Sequence, residues 1–348
     1  MGELMQEARA AQSLLRTLPL VTLYLTDRCN SRCVTCDYWR HGRTTLTLAS
    51  VAELLPGLAA LGTEVVMLSG GEPLLNPEWP GIAQLLRDAG LKLWLLTAGL
   101  ALAKHAAAAA GLFESITVSL DGTTRETYAA IRGLDAFDKV CAGIRAVAAA
   151  GTPVSLRVTV QRANYRELPE FVTLARQLGA RQVSFLAVDV GNAHAFARVG
   201  DPPAGLALAA QDLPVLGAIL DRLERGHAAD FRSRFIAESP AKLRRILQYF
   251  SALSGAGDFP TVRCNAPEFS AVMSADLRLQ PCFFIPGPAP PASRPDLPAM
   301  LNEPALRELR GTIRAGGRPE CRRCVCSMWR SPDARSSDHF LLPAGDSR

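Results

Sequence analysis

An apolar run, Val21–Thr26, leads into the stretch Cys29-Asn-Ser-Arg-Cys33-Val-Thr-Cys36. The run is rich in β-branched residues and predicts a strand, so the three cysteines lie on the loop that follows it. Five more runs of this kind alternate with helical stretches as far as Val188. Six βα repeats in a row predict a parallel sheet with helices outside it, closed or partly closed as a barrel. The loops after the strands form the active-site face of such a barrel, which places the cysteines on that face.

The predicted fold class is therefore α/β: a partial (β/α)6 barrel of the TIM type, followed by a small C-terminal β-hairpin plus helix. The predicted barrel strands are Val21–Thr26, Glu64–Ser69, Leu91–Thr97, Ser115–Leu120, Pro153–Val160 and Arg181–Val188. The predicted barrel helices are Leu48–Leu61, Glu78–Ala89, Leu100–Ala110, Phe137–Ala150 and Leu168–Leu178. Later in the chain we expect helices Leu213–Arg225, Pro240–Ser251 and Pro304–Ala315, and two short strands, Phe269–Met273 and Leu277–Gln280. The predicted domains are an N-terminal extension (1–20), the barrel (21–188), a helical insertion or linker (189–262), an auxiliary domain (263–330) and a flexible tail (331–348).

Composition and charge limit the class of protein. The chain has 348 residues, of which 48% are apolar, and this suffices for one large barrel with an accessory domain. A formal net charge of +5 is a weak bias that does not by itself indicate nucleic-acid binding. Residues 1–7 lack the basic start of a signal peptide, and the most apolar region, 91–113, is interrupted by Lys92 and Lys104. We expect a soluble, cytoplasmic protein with no membrane partner.

The nine cysteines fall into two groups and one isolated residue, Cys141. Clustered cysteines in a cytosolic chain indicate metal binding or catalysis rather than disulfides, and Cys141 is predicted to be a small buried hydrophobe. Three thiolates on one short loop can ligate three corners of a cubane [4Fe–4S] cluster, which leaves one iron open to a small chelating ligand. The alternative for this group is a structural zinc ion with a fourth ligand elsewhere.

The spacing Cys-x3-Cys-x2-Cys after the first strand resembles the radical S-adenosylmethionine (SAM) superfamily, as do Tyr38 and Trp39 close behind Cys36. The resemblance implies that the open iron chelates the amino and carboxylate groups of SAM. The reduced cluster gives one electron to the sulfonium, and the C–S bond breaks to methionine and a 5′-deoxyadenosyl radical. That radical removes a hydrogen atom from the substrate, and the protein positions the cofactors and excludes water.

Further motifs resemble the radical SAM group that includes the molybdenum-cofactor enzyme MoaA and peptide maturases such as PqqE. They are Ser69-Gly70-Gly71-Glu72-Pro73, Ser119-Leu120-Asp121-Gly122 and Ile131-Arg132-Gly133. Glycines permit a sharp turn close to a ligand, and a carboxylate beside them can accept hydrogen bonds from a cationic amine. The resemblance implies that Gly70, Gly71, Glu72 and Pro73 hold the amino group of SAM, and that Ser119 faces the SAM ribose or the substrate. Arg157, on the fifth predicted strand, is a further candidate to face SAM.

Each of these motifs also has a purely structural interpretation. The glycine motif and Asp121-Gly122 can be ordinary strand-end turns, Arg157 can pair with a structural acid, and Asn164 can cap the next helix. Third strands of this group often end in Thr-Asn-Gly, whereas this chain has Thr97-Ala98-Gly99. Ala98 is therefore given no role.

The second group consists of Cys264, Cys282 and the stretch Cys321-Arg-Arg-Cys324-Val-Cys326. A hairpin with a cysteine near each end, completed by a distant Cys-x2-Cys, is similar to the twitch domain, a shortened SPASM domain that binds one auxiliary [4Fe–4S] cluster. We expect one auxiliary cluster with the ligands Cys264, Cys282, Cys321 and Cys324. Cys326 either replaces one of them or lies beside the cluster unligated. Zinc is again the alternative, because four cysteines suit it.

The expected function is that of a radical SAM oxidoreductase, in which the auxiliary cluster accepts an electron so that the substrate is oxidised by two electrons. We expect the substrate to be a small polar molecule or a peptide delivered by a partner, because the residues before the first strand are too few for the leader-binding domain of many peptide maturases. The alternatives are a peptide or protein (RiPP-type) maturase and, in another class, a zinc- or nucleic-acid-binding module without radical chemistry. A flavodoxin- or ferredoxin-type donor could dock on an arginine-rich region near the second cysteine group, although a solvated helix face explains that region equally well. Candidates for a base are Asp121, Asp189, Asn192, His194 and Glu268.

Overall fold

The computed structural model describes residues 14–290 and 295–331. Most of the predicted N-terminal extension and nearly all of the predicted flexible tail lie outside the described residues. The predictions that can be compared with the structure are therefore those for the barrel, the helical insertion and the second cysteine group.

An eight-stranded sheet forms the centre of the molecule. Its strands are Leu20–Thr26 (β1), Val65–Gly70 (β2), Lys92–Thr97 (β3), Ser115–Ser119 (β4), Val154–Val160 (β5), Gln182–Ala187 (β6), Ser270–Met273 (β7) and Leu279–Gln280 (β8). They lie in the order β6-β5-β4-β3-β2-β1-β7-β8, and all neighbours are parallel except β7 and β8. Because β6 and β8 lie at opposite edges, the sheet is open, and the predicted partial barrel is confirmed.

Helices lie between the strands in sequence and follow the last of them. They are Tyr38–His41 (α1), Leu48–Ala60 (α2), Trp79–Asp88 (α3), Leu102–Ala109 (α4), Arg125–Arg132 (α5), Phe137–Ala149 (α6), Leu168–Gln177 (α7), Leu213–Gly226 (α8), Ala228–Arg232 (α9), Pro240–Leu253 (α10), Leu297–Leu301 (α11), Pro304–Arg314 (α12) and Pro319–Arg322 (α13). Every strand and helix predicted from the sequence is present, with ends that differ by at most two residues. Among the residues that the structure describes, none of the helices has the length and apolar character that crossing a bilayer requires.

The inner face of the sheet is only partly filled. In β5 the side chains of Val154, Leu156 and Val158 are fully buried against the helices, whereas those of Arg157 and its neighbours on the same face are half-buried. The same alternation occurs in β3 and β4. Since alternate residues of a strand point to opposite faces, the second set faces the interior of the partial barrel, here called the lumen.

The hairpin of the second cysteine group is part of this sheet. Strand β7 pairs with β1 in parallel, from Leu20 opposite Ser270 to Leu23 opposite Met273, and β8 pairs with β7 antiparallel. The two strands were predicted, but their pairing with β1 was not. The region 263–330 is thus joined to the barrel by main-chain hydrogen bonds, in addition to the side-chain packing.

We predict that Val272→Pro destabilises the whole barrel by about 2 kcal/mol or more, because proline removes a donor from a strand that has neighbours on both sides. Val272→Ala keeps the ladder and is the control. Hydrogen exchange of the β1 amides checks this: protection should fall in the proline variant and persist in the alanine variant. Unchanged β1 protection in both would mean that the hairpin and the barrel are independent units.

Candidate active site

The three-cysteine loop is held by main-chain hydrogen bonds on two sides. At its start, the N–H of Gly71 donates to the carbonyl of Thr26, and the N–H of Glu72 donates to that of Arg28, both at 2.8 Å. Further along, the N–H of Arg32 donates to Arg132 O and that of Val34 to Ile131 O, each at 3.0 Å. The end of β2 and the end of α5 therefore clamp the loop from opposite directions.

The three thiols are half-buried and lie within electrostatic range of one another, since a charge on Cys33 raises the pKa of both Cys29 and Cys36. Burial is the main cause that raises the pKa of Cys29 to about 11 and that of Cys36 to about 12. A free thiol with such a pKa is protonated at neutral pH, so thiolates form here when a metal cation replaces the protons. Donors already point at two of the sulfurs: Ser31 N lies 3.5 Å from Cys29 Sγ, and Arg132 Nη1 lies 3.4 Å from Cys33 Sγ.

Both glycines of the Gly70-Gly71 motif are required by close packing against this loop. A Cβ added at Gly70 would lie 2.2 Å from Thr26 O, and one at Gly71 would lie 2.3 Å from Arg28 O. Gly70 also has a φ of +128°, which side chains disfavour. The glycines thus allow β2 to approach the cysteine loop, whereas the sequence interpretation had them approach a ligand.

Both oxygens of the Glu72 carboxylate have protein donors. The side chain has no exposed surface and accepts hydrogen bonds from Leu74 N, Thr97 Oγ1 and Ala98 N at 2.7–3.1 Å. Glu72 thus fixes the loop ends of β2 and β3, and Ala98, at the position without an asparagine, contributes its backbone N–H. The interpretation that this segment holds the amino group of SAM stays a prediction.

Ser119 and Arg157 are neighbours. They are paired in register across β4 and β5, near the carboxyl ends of the strands, and both are half-buried on the lumen face. The charges of Arg157 and Lys242 oppose the rise in pKa that burial causes at Cys326. The structure therefore brings two residues of the predicted SAM site together and places Arg157 near the second cysteine group.

Asp121 and Asn164 have structural partners. Asp121 is 3% exposed, accepts from Thr159 N at 2.7 Å and pairs with Arg132 at 3.3 Å. Asn164 Nδ2 donates to the carbonyls of Asp121 and Thr159, and its Oδ1 accepts from Gln161 N, so the predicted helix cap is replaced by contacts among strand ends. Both residues hold β4 to β5, and Asp121 is too enclosed to serve as a base.

All five cysteines of the second group line one cavity, together with apolar residues such as Val262, Ile285 and Met328. The segment after Cys326 is held beside this cavity by Asn265. The Asn265 side chain donates to Arg330 O and accepts from Arg330 N, both at 2.8 Å, and the Asn265 N–H donates to Met328 O. Burial raises the pKa of Cys282 to about 12. Within the described ranges, no three His, Cys, Asp or Glu side chains converge as closely as a single metal ion requires.

A bridging segment, residues 189–199, connects the two cysteine groups. Arg198 donates from Nε to Thr35 O in the first cysteine loop at 3.3 Å and from Nη1 to Asn192 O at 3.0 Å. Asn192 Nδ2 donates to Phe284 O, two residues after Cys282, at 2.8 Å. This role could not be predicted from the sequence, because the bonds are made to main-chain carbonyls and no motif accompanies them.

The other base candidates have different surroundings. Asp189 accepts from Gly191 N and Asn192 N, and Glu268 pairs with Arg314 at 2.6 Å on the surface. His194 lines a cavity of about 260 Å³ between the two cysteine groups. The lining of that cavity also includes Tyr24, Tyr38, Asp276 and Arg278. His194 is therefore the candidate that the structure places at an accessible cavity.

This fold and this site define a partial (β/α) barrel whose three clustered thiols, at the carboxyl ends of the strands, face a lumen. Residues 23–175 match the family model described as the radical SAM superfamily. Residues 23–175, which make up most of the barrel, thus match the radical SAM superfamily, and the resemblance drawn from the sequence is confirmed.

Named relatives agree with this assignment. GTP 3′,8-cyclase 1 of Mycobacterium tuberculosis is 37% identical over 187 residues, which cover 49% of this chain and 52% of the cyclase. The AdoMet-dependent heme synthase of Methanosarcina barkeri is 34% identical over 172 residues, covering 46% of this chain and 48% of the synthase. The chain thus spans about half the length of these curated relatives. The crystal structure of Streptococcus suis SuiB bound to S-adenosylmethionine has a TM-score of 0.66 at 13% identity, covering 92% of this chain and 76% of SuiB.

We predict that Gly71→Ala destabilises the protein by about 1–3 kcal/mol, because the new methyl group overlaps the Arg28 carbonyl and must displace the cysteine loop. Gly311→Ala is the control: it lies in α12, where a Cβ meets nothing within 4 Å, and should be neutral or stabilising. Denaturant unfolding compares the two variants. Equal stability of Gly71→Ala and the wild type would show that the loop does not depend on this close approach.

Proposed function

We propose that the protein holds a [4Fe–4S] cluster on Cys29, Cys33 and Cys36 and cleaves SAM reductively there. The observation that carries the proposal is the clamped loop, which presents three half-buried thiols at the mouth of an open lumen. Three thiolates leave one iron of a cubane without a protein ligand, and this is the position SAM would take. When bound, the reduced cluster supplies the electron that splits SAM into methionine and a 5′-deoxyadenosyl radical, which abstracts hydrogen from the substrate.

The SAM site in this proposal uses groups that surround the loop. The backbone of Gly70, Gly71 and Pro73 would meet the amino group of SAM, with Glu72 as the residue that orients this segment through its buried hydrogen bonds. Ser119 and Arg157 would face SAM or the substrate from β4 and β5, where both side chains are open to the lumen. Main-chain carbonyls and a guanidinium suit the ammonium and carboxylate of an amino acid, respectively.

The second cysteine group would hold one auxiliary [4Fe–4S] cluster. In support, all five cysteines line the same cavity, with Cys264, Cys282, Cys321 and Cys324 as the proposed ligands. The charges of Arg157 and Lys242 lower the pKa of Cys326 against the effect of burial, so both side chains lie within electrostatic range of this thiol. This supports a position of Cys326 beside the lumen. A cluster there could accept the electron left on the substrate after hydrogen abstraction, so that the net reaction is an oxidation. The alternative is a zinc ion bound by the same thiols, and counting the iron bound per chain distinguishes it from an auxiliary cluster.

The substrate would be a small polar molecule or a peptide that reaches the lumen between the two cysteine groups. The cavity lined by Tyr24, His194 and Arg278 supports this, because its lining also includes Tyr38, two residues after Cys36, and Phe283, the neighbour of Cys282. A peptide is further supported by the solved structure of SuiB bound to its precursor peptide SuiA. The alternative function within the superfamily is therefore the maturation of a peptide or protein.

A flavodoxin- or ferredoxin-type protein would supply the electrons. Part of the arginine-rich region is engaged internally, since Arg310 is buried and Arg314 and Arg318 pair with carboxylates. Arg322 and Arg323, which are exposed beside the second cysteine group, are therefore the arginines proposed to bind an acidic electron-donor protein. Charge reversal of both to glutamate should slow reduction by flavodoxin at low salt, and an unchanged rate would remove this docking site from the proposal.

We predict that the anaerobically reconstituted wild type binds about eight irons per chain, and that a Cys29/Cys33/Cys36→Ala variant keeps about four and releases no 5′-deoxyadenosine with dithionite and SAM. Cys141→Ala is the matched control, because Cys141 is buried in α6, outside both groups, and should leave iron content and nucleoside release unchanged.

Two outcomes would contradict the proposal. Nucleoside release from the triple variant would remove the three thiols from the reaction. A colourless wild type that binds zinc and no iron would favour the zinc- or nucleic-acid-binding class instead. A wild type with about four irons would restrict the cluster to the first group and assign zinc to the second.

A further inference from the structure

The guanidinium of Arg132 lies between the cysteine loop and the barrel. Arg132 is the last residue of α5 and is 8% exposed. Its Nη1 lies 3.4 Å from Cys33 Sγ and 3.3 Å from Asp121 Oδ2, and its Nη2 donates to Ser119 O at 3.0 Å. One side chain thus contacts a proposed cluster ligand, a buried carboxylate and the strand that carries the proposed SAM contact.

The backbone around Arg132 holds the same loop. The carbonyls of Ile131 and Arg132 accept the N–H groups of Val34 and Arg32, the residues on either side of Cys33. Gly133 completes the contact: its φ is +73°, and a Cβ there would lie 2.2 Å from Arg32 O. The position of Cys33 is therefore set by this helix end through both backbone and side chain.

The Arg132 guanidinium also has an unsatisfied hydrogen-bond donor. Its Nε is buried and has no hydrogen-bond partner. A buried donor without an acceptor is costly, and a buried cation needs compensating negative charge. Asp121 compensates the charge of the guanidinium but leaves its Nε without an acceptor. Because Nη1 also contacts Cys33 Sγ, a negatively charged centre held by Cys33 would lie beside this cation, and this fits the proposed cluster.

We propose that Arg132 is a positioning residue that fixes Cys33 and, opposed by Asp121, sets the midpoint potential of the cluster on Cys29, Cys33 and Cys36. This inference rests on the proposed function. Reduction adds one electron from the external donor to the cluster, with no bond formed or broken, and so increases its negative charge. A buried cation in contact with a ligand favours the reduced form, and a nearby carboxylate disfavours it. The pair therefore determines how easily the donor reduces the cluster.

Four single variants test this inference. Arg132→Met removes the cation, Arg132→Lys keeps the charge without the forked geometry, and Asp121→Asn removes the opposing carboxylate. Arg125→Met is the matched control, because Arg125 lies at the other end of the same helix, exposed and paired with Asp138. Each variant is reconstituted anaerobically, and the EPR signal that SAM perturbs is followed in a redox titration. Iron content and thermal unfolding are measured alongside.

At the midpoint potential of the wild type, we expect the reduced fraction of the cluster to fall in Arg132→Met and to rise in Asp121→Asn. Arg132→Met should lower the ratio of reduced to oxidised cluster at least tenfold, a shift of about 59 mV to more negative potential for a one-electron couple. Asp121→Asn should raise the ratio, and Arg132→Lys and Arg125→Met should stay within about threefold of the wild type. A residue that only stabilised the fold would lower thermal stability without this pattern of signs.

Unchanged potentials in Arg132→Met and Asp121→Asn would overturn the inference, as would an equal shift in Arg125→Met. If Arg132→Met binds no iron, the other two variants test the inference. Asp121→Asn must then raise the midpoint potential, and Arg132→Lys must have the midpoint potential of the wild type; any other result overturns the inference. A wild type without any SAM-sensitive signal would instead overturn the proposed function itself. The two failures are therefore distinguishable.

Discussion

The clamp on the three-cysteine loop is the constraint on which the rest of the site depends. Eleven residues without regular structure, 27–37, carry three thiols, and main-chain hydrogen bonds to the end of β2 on one side and the end of α5 on the other fix their position. Gly71 and Gly133 permit both contacts, because a side chain at either would overlap a carbonyl of the loop. Rigid elements thus hold a loop that would otherwise have to be ordered by its metal centre alone, and preorganisation of this kind favours precise cofactor geometry.

The second cysteine group is built into the same framework. Strand β7 extends the sheet beyond β1, and the bridging segment 189–199 bonds to both Thr35 and Phe284. Two groups that lie more than two hundred residues apart in sequence are therefore tied to one framework by the sheet and by the bridging segment.

Much of this architecture could be predicted from local sequence. Alternating β-branched runs and helical stretches identified every barrel strand, and cysteine spacing identified both groups. Long-range pairing could not be predicted: nothing in Ser270–Met273 indicates that it lies parallel to β1. The hydrogen-bond partners of Glu72 could not be predicted from the sequence either, because the same carboxylate can face a ligand or bond to Thr97 and Ala98. The Asp121–Arg132 pair depends likewise on tertiary contacts between separate elements.

The central claim is that SAM binds directly to an iron that has no protein ligand. Electron–nuclear double resonance of the reduced protein with SAM carrying ¹⁵N in the amino group and ¹⁷O in the carboxylate measures this most directly. The account predicts hyperfine coupling of both nuclei to the cluster, as expected for atoms bonded to iron. A reduced cluster whose spectrum shows neither coupling at saturating SAM would contradict it.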